Sequence, residues 1–401
     1  MNSLRKTNLQ EVKERWTLCI NCAACYYRGP IVPHNWKELP PHEWSSPLRK
    51  CPSFEHYRFR AFTAAGRGIL ATRVFDDVHF SITNDLIEIV YTCTSCGTCN
   101  EICQAFQPLN AIWALREELV ERGAPRPAPL VKVSNNIEKY NNSLGARKSP
   151  KILEDIPSTG ESIYFAGCYA RYHVPSVARA TVEVLRAAGI NVASLNAEER
   201  CCGFIPGHDG NTRLLEKMAD QNIEALQSAG AKRVIVSCSH CYKALKVDYP
   251  LIYGDLPFEV VHAAELFSTL IEEGRIRFKK PIKQRITYHD PCFLGRHGKV
   301  YEAPRKVLKS IPGLELREME RYGRWSYCCG SGAKISSICY PDFARAVSKE
   351  RLLEGKKAAE TLVTACTTCF HQLKESARRE QLDINLYDLP VLVAEAMGIP
   401  F

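Results

Sequence analysis

The stretches ERCCGF (residues 199–204) and WSYCCGSGAK (325–334) each set two adjacent cysteines before a glycine. Outward from each pair the same arrangement appears twice. Cys168 precedes Cys201 and Cys202, and Cys238 and Cys241 follow. Cys292 precedes Cys328 and Cys329, and Cys366 and Cys369 follow. Five cysteines in one order at nearly one spacing, twice, mark an internal duplication of about 124 residues.

The apolar pattern repeats with the cysteines. SIYFAGC (162–168) reads as a buried strand, and Val177, Thr181, Val184, Leu185 and Ala188 then share one helical face that Gly189 ends. INVASL reads as a second strand, and Leu215, Met218, Ala219, Ile223 and Leu226 as a second helical face. RVIVSC (233–238) is nearly all apolar, as a strand of a parallel sheet covered on both sides must be. The second copy offers RITYHDPC, a helix around 303–310, LELREME, a helix around 341–357 and TLVTAC. The fold class is therefore α/β, with the outer cysteines at the carboxyl ends of strands, where open sheets of this class build their sites.

A disulfide within an adjacent pair would be strained, because neighbouring Cα atoms are about 3.8 Å apart and disulfides prefer roughly 4.4–6.8 Å. A pair of small buried hydrophobes would point to opposite faces of a strand and leave the other three cysteines unexplained. The pattern favours metal. Gly203 and Gly330 let the backbone turn so that both thiolates face one centre. Five thiolates per copy exceed what one cubane takes.

The front of the chain carries eight more cysteines. Cys19, Cys22 and Cys25 form C-x2-C-x2-C, Cys51 stands before Pro52, and Cys93, Cys96, Cys99 and Cys103 form C-x2-C-x2-C-x3-C. Bacterial ferredoxins hold two [4Fe-4S] cubanes with this spacing, the fourth cysteine of each run crossing to the other cluster. The expected sets are Cys19, Cys22, Cys25 and Cys103 for one cubane, and Cys93, Cys96, Cys99 and Cys51 for the other. Gln104 replaces the usual proline after Cys103, and 25 residues separate Cys25 from Cys51. Zinc prefers paired C-x2-C units, which a third cysteine in each run does not suit. Two cubanes side by side imply electron transfer. Helical stretches are expected around 8–17, 57–72 and 109–122.

The totals agree with a globular protein: 401 residues, 45% hydrophobic and 24% charged, with 19 cysteines. No apolar run reaches about 18 residues, so no transmembrane segment is expected. The opening MNSLRKTNLQEVKERW lacks a signal peptide's apolar core, so the expected location is cytoplasmic, or peripheral to a membrane through a partner. The net charge of +9 is spread in alternating signs and comes with no recognition motif, so nucleic acid is not an expected partner. GRG (66–68) and GSG (330–332) are too short to bind a nucleotide, so a flavin or nicotinamide belongs on a partner. Residues 124–157, rich in Pro, Asn, Ser and charge, read as a linker.

Two tandem CCG domains behind a two-cubane module resemble the D-type catalytic subunit of heterodisulfide reductase. The resemblance covers essentially the whole chain and rests on 18 of the 19 cysteines. It implies an α-helical ferredoxin-like module at 1–125, a linker at 126–157, and two pseudo-repeated Rossmann-like CCG domains at 158–280 and 281–401. It implies two noncubane [4Fe-4S] clusters with bridging thiolates. Cys168, Cys201, Cys202, Cys238 and Cys241 would hold one, and Cys292, Cys328, Cys329, Cys366 and Cys369 the other. The family reaction cleaves a disulfide between the two clusters. Iron–sulfur subunits of anaerobic glycerol-3-phosphate dehydrogenase and of glycolate oxidase share the layout, often with degenerate cysteine sets, whereas both sets here are complete. CINCAACYYRGPIVPHNW also looks like D-type subunits of class II benzoyl-CoA reductase complexes, where the subunit would relay electrons within a larger assembly.

Either reading needs a redox partner, a flavoprotein, a ferredoxin or a membrane cytochrome, in a hetero-oligomeric complex. His289 in YHDPC, His240, His371 and His208 are candidate proton donors near the cysteines, with a structural hydrogen-bonding role the blander alternative. His289–Asp290 is expected to shape the turn before Pro291, and His208 to lie in a loop. Lys243 and Lys334 are expected on solvated faces, with screening of cluster charge or steering of an anionic substrate as the alternative, and Cys339, outside every set, as a small buried residue.

Overall fold

The computed structural model describes residues 51–103 and 105–401. Cys19, Cys22 and Cys25 and the helix expected over 8–17 lie outside the described residues. The front module is helical: α1 (Pro52–Tyr57), α2 (Ala64–Asp76), α3 (Asn84–Tyr91), α4 (Thr98–Ile102) and α5 (Pro108–Glu121). The single helix expected over 57–72 is broken. Arg58 takes a left-handed conformation (φ 57°) that closes α1, and Thr63 then caps α2 by accepting from Gly66 N at 2.9 Å. The connecting stretch is not irregular throughout: α6 (Ala128–Tyr140) buries Leu130, Val133 and Ile137 at helical spacing. Its prolines open the helix and Asn141 closes it in a left-handed conformation.

The first repeat runs β1 (Ser162–Phe165), α7 (Gly167–Tyr172), α8 (Pro175–Ala187), β2 (Val192–Ala193), α9 (Phe204–Asp209), α10 (Thr212–Ser228), β3 (Arg233–Val236), α11 (Ser239–Lys243), α12 (Tyr249–Tyr253), β4 (Glu259–His262) and α13 (Ala263–Glu272). The second runs β5 (Gln284–His289), α14 (Glu302–Ser310), β6 (Leu314–Leu316), α15 (Ile335–Cys339), α16 (Pro341–Ala358), β7 (Thr361–Thr364), α17 (Thr367–Arg379), β8 (Asn385–Asp388) and α18 (Leu389–Met397). Each makes a four-stranded, wholly parallel sheet, ordered β2-β1-β3-β4 and β6-β5-β7-β8. The fold is mixed α/β with two repeated parallel-sheet domains. INVASL and LELREME shrink to short edge strands, while β4 and β8 add strands that the apolar patterning had not marked.

The central strands are fully buried between helices, so Ile163, Tyr164, Phe165, Val234, Ile235 and Val236 have no exposed surface. Pairing of Phe165 with Val236, and of His289 with Thr364, sets the register. It brings Cys168 and Cys238 to one end of the first sheet, and Cys292 and Cys366 to one end of the second. These ends flank the point where strand order reverses, the crevice in which open sheets hold their ligands.

The front module touches both repeats. Tyr91 Oη donates to Asp209 O at 2.9 Å, and Arg116 Nη1 to His208 O at 2.9 Å. Arg296 Nε donates to Cys96 O at 2.5 Å, and Lys299 pairs with Glu101 at 3.0 Å. No helix among the described residues is long and apolar enough to cross a membrane.

Candidate functional site

All sixteen described cysteines are free, so neither adjacent pair forms a disulfide. Nine of the ten repeat cysteines instead touch one another through sulfur. In the first repeat the contacts run Cys168–Cys201–Cys202–Cys241–Cys238. In the second they run Cys366–Cys369–Cys329–Cys328. Cys238 meets Cys366 across the junction, joining the two runs. Ser239 Oγ donates to Cys366 Sγ at 2.9 Å beside that contact. Cys292 lies next to Cys328 and Cys329.

The turn after each pair is left-handed, with φ 73° at Gly203 and 90° at Gly330. A Cβ at Gly330 would lie 2.3 Å from Ala344 O. Gly167, which no sequence pattern singles out, is equally constrained: a Cβ there would sit 2.6 Å from Cys241 Sγ.

The sulfur contacts polarise the set. Hydrogen bonds from Cys201 and Cys241 bring Cys202 down to about 6. Cys328 and Cys369 hold Cys329 well below the usual thiol value, and Cys241 and Cys366 do so for Cys238. The donating thiols Cys241 and Cys369 are pushed up in return. Cys202, Cys238 and Cys329 are thus the cysteines biased toward the thiolate, the form that ligates metal. His289, Cys329 and Cys369 bring their donor atoms within 4.8 Å of one another. Buried, unoxidised, converging thiols are the soft donor set that iron–sulfur clusters require, and their number exceeds a four-ligand zinc site.

In the front module, Cys51 feels the charges of Cys96 and Cys93, and burial pushes it up to about 12. Cys93 and Cys99 pack against Ala64, Leu109 and Ile112. Cys103 is half-buried at the end of α4, and its three expected co-ligands lie outside the described residues. The buried Arg296 guanidinium stands between this group and the second repeat. Its Nη1 donates to Arg324 O at 2.9 Å and Ser326 O at 2.8 Å, and its charge reaches Cys96, Cys292 and Cys328. Burial raises the Cys96 thiol, but Arg296 and the Thr98 hydrogen bonds more than offset it, leaving Cys96 below the usual value. An aromatic seam fills the three-way junction: Trp113 leans on His208 and His297, and Phe293 and Phe204 lead on to His240.

His289 Nδ1 accepts from Arg351 Nε at 2.9 Å. Arginine is always a donor, so the neutral ring carries its proton on Nε2. Burial lowers this histidine, and its ring lies beside Cys329. Asp290 braces the following turn, binding both Arg305 Nη atoms (2.6 and 2.9 Å) and Gly323 N (2.8 Å).

Three expectations change. His208 is in no loop but fully buried in α9, stacked on Phe204. Lys243 and Lys334 are not on solvated faces, with relative exposures of 4% and 5%. Lys243 pairs with the buried Asp248. Cys339 is half-buried near Asp209 and Arg116 rather than fully enclosed. Arg351 and Arg296 were missed. Arg351 had a signal, a charge on the apolar face formed by Phe343, Val347 and Leu352. Arg296 had none, since its role depends on how the modules dock.

The chain matches the cysteine-rich domain family at residues 162–246 and 286–374, and the 4Fe-4S dicluster domain family at 15–106. Among curated relatives, the D-type subunit of the dihydromethanophenazine:CoB–CoM heterodisulfide reductase of Methanosarcina barkeri is 36% identical over 321 residues, 77% of this chain and 78% of the relative. The EtfAB:quinone oxidoreductase of Syntrophomonas wolfei is 34% identical over 262 residues, 61% of this chain and 36% of that protein. A hypothetical protein of Helicobacter pylori shares the fold, with a TM-score of 0.57 at 13% identity over 84% of this chain and 68% of its own.

Proposed function

The chain belongs to the family of heterodisulfide reductase D-type subunits, and on that footing we propose that it passes electrons from two cubanes to two noncubane clusters at which a disulfide is reduced or formed. The proposed cubane ligands are Cys19, Cys22, Cys25 and Cys103, and Cys51, Cys93, Cys96 and Cys99. The proposed noncubane ligands are Cys168, Cys201, Cys202, Cys238 and Cys241, and Cys292, Cys328, Cys329, Cys366 and Cys369. The module boundaries proposed with them are 1–125, 126–157, 158–280 and 281–401.

The observation that carries this reading is the run of sulfur contacts across the Cys238–Cys366 junction. It brings the thiols of the two repeats face to face, as a reaction at both sulfurs of one disulfide requires. Reduction of RS–SR′ takes two electrons and two protons and yields RSH and R′SH. Bound clusters would supply the electrons one at a time. The residues do the rest. Gly203 and Gly330 turn both thiolates of each pair inward, the aromatic seam keeps water from the junction, and His289 holds a proton at Nε2 facing Cys329. The electrons come from a partner protein, a flavoprotein, ferredoxin or membrane cytochrome.

A second reading is an electron relay inside a larger complex, as in class II benzoyl-CoA reductase assemblies. Kinship with a relative named as a quinone oxidoreductase favours it.

Iron and zinc analysis of anaerobically purified protein, with EPR during a redox titration in the presence of a thiol and a disulfide, separates the two. The expected result is about 16 iron per chain, four clusters of four, and a thiol-dependent signal at oxidising potential. The same iron without a thiol response selects the relay. About half that iron, or zinc in its place, would sink the assignment of clusters to the repeats.

A further inference from the structure

GRG (66–68), too short to bind a nucleotide, holds one of three buried arginines that the proposed function leaves unused. Arg67, Arg116 and Arg296 are 1%, 0% and 4% exposed. Each is tied to a different cysteine of the set Cys51, Cys93, Cys96 and Cys99. Arg67 Nη1 donates to Phe62 O at 2.5 Å, the carbonyl that Cys51 Sγ also meets, at 3.8 Å. Arg116 Nη2 donates to Cys93 O at 2.8 Å, and Arg296 Nε to Cys96 O at 2.5 Å. Their charges reach the same three thiols, Arg67 acting on Cys51, Arg116 on Cys93 and Arg296 on Cys96. Arg67 Nη2 also donates to Thr92 Oγ1 at 3.2 Å, and Arg116 Nη1 to Ser95 Oγ at 3.1 Å. One short turn, 92–96, is thus held by three guanidiniums. Gly66 permits part of this, since a side chain there would collide with the Arg60 carbonyl beside α2.

Among the described residues, every hydrogen bond that these three arginines make goes to a neutral oxygen, a carbonyl or a hydroxyl. Arg116 Nε and Arg296 Nη2 are buried with no hydrogen-bond partner at all. Asp209, whose charge Arg116 feels, is bonded to Arg126 at 3.2 Å. The repeats treat their buried arginines differently. Arg171 is paired with Glu199, Arg305 with Asp290, and both Arg321 and Arg351 with Glu354. In the front module the cations stand without carboxylates, and Arg67 and Arg116 feel each other's charge. Buried charge is tolerated only when something pairs with it. A cubane held by four thiolates is an anion, it becomes more negative on reduction, and nearby charge sets its potential.

We propose that Arg67, Arg116 and Arg296 form a cationic cage that stabilises the reduced state of the cubane assigned to Cys51, Cys93, Cys96 and Cys99, so that this centre takes and holds the electron bound for the second repeat. The proposal rests on the ligand set given above. The electron comes from the partner protein, one at a time, and no bond forms or breaks in the step. Arg296 also reaches Cys292 and Cys328, so it acts on both ends of the transfer.

Midpoint potentials, read by EPR on anaerobic, iron-loaded protein, test the cage. Cys93→Ser first identifies this cubane, as the one whose signal it alters. Arg67→Gln and Arg116→Gln remove a charge and keep some hydrogen bonding. Each should disfavour reduction of that cubane about tenfold, or about 59 mV for one electron, with both repeat signals unmoved. Arg67→Lys and Arg116→Lys keep the charge and should keep most of the wild-type potential. Arg296→Gln should lower the cubane and the second repeat's signal together and leave the first repeat's signal in place. A midpoint does not depend on how much of the sample carries iron, so a variant that loads poorly still reports. Equal shifts in the Gln and Lys variants would show that the guanidiniums act by geometry alone, and no shift in either would show that their charge is idle. Both results overturn the cage. If Cys93→Ser altered no cubane signal, the ligand set itself would fall, and the cage with it, before any arginine was changed.

Discussion

Where the first repeat places Phe165, three residues before its leading cysteine, the second places His289. Where α10 buries Asn222, which donates to Cys201 O at 3.0 Å and Tyr249 Oη at 3.1 Å, α16 buries Arg351 against His289 and Glu354. The turn before Cys168 is held by Glu199, which accepts from Ala166 N and Gly167 N at 2.8 Å each and is matched by one arginine, Arg171. The turn before Cys292 is held through Asp290 and Arg305, with Arg321, Glu350, Glu354 and Arg351 packed nearby. The first repeat opens to solvent at Cys168, whereas all five cysteines of the second set are buried.

The duplication therefore kept the thiols and let their surroundings diverge. The second repeat faces the front module through Arg296, and fixed positive charge there favours added electrons. The first repeat meets the front module through the backbone carbonyls of His208 and Asp209 and leaves Cys168 part-exposed. Under the proposed function this division gives the electron route a point of entry, beside Cys292.

The sharpest way to break the comparison is to remove one thiolate from each side. Cys202→Ala should cost the first repeat its cluster, about four iron per chain, and leave the second intact; Cys329→Ala should do the reverse. Iron analysis with EPR reads both. Loss of both clusters from either variant would mean that the Cys238–Cys366 junction makes one shared centre rather than two. Unchanged iron would mean that these cysteines are not ligands.

The next effect is on stability. Arg351→Met strips a buried cation from Glu354 and frees the His289 ring, and removing one partner of a buried pair costs about 3–5 kcal/mol. Asn222→Ala, its counterpart, breaks neutral hydrogen bonds and should cost about 1–3 kcal/mol. Anaerobic urea midpoints compare the two. Equal losses would show that the charged network of the second repeat is no more than packing.

Much of this was open to sequence reasoning because the period of the cysteines and the apolar runs report local chemistry. RVIVSC and TLVTAC could only be buried strands, and a glycine after paired cysteines could only be a turn. β4 and β8 were missed because FEVVH and INLYD are short and half-polar, and their pairing comes from the sheet they join. The break in the helix over 57–72 was hidden because Arg58 adopts a left-handed backbone that its residue type does not announce. Lys334 and Lys243 were misplaced for a related reason. A lone lysine reads as surface unless the parts of the fold that cover it, such as Asp248 and Trp113 around Lys243, are already in view. Arg296 acquires its meaning only when two modules separated by some 200 residues are docked.

A smaller effect isolates the histidine. His289→Phe copies the first repeat into the second and removes an N–H donor facing Cys329. Such a donor stabilises the more negative, reduced state, so its loss should lower the potential of the second repeat's signal. A net hydrogen bond of about 1 kcal/mol corresponds to roughly 40 mV for one electron. A redox titration followed by EPR should show that drop for the second repeat and none for the first. A shift in both would mean that the two centres are electronically coupled through the Cys238–Cys366 contact.

Cys339 offers the weakest perturbation and the cleanest control on the comparison, because it has no twin in the first repeat. It ends α15 half-buried, touched by the charges of Asp209 and Arg116, and burial pushes its thiol up to about 12. A thiol held protonated at neutral pH is a poor ligand and a poor nucleophile. Cys339→Ala removes one sulfur from a partly exposed position, so the stability change should stay within about 1 kcal/mol. Iron content and every EPR signal should match the wild type. A lost signal would place a sixth thiol in the second repeat's set. The repeats would then differ in the ligands themselves and not only in what surrounds them.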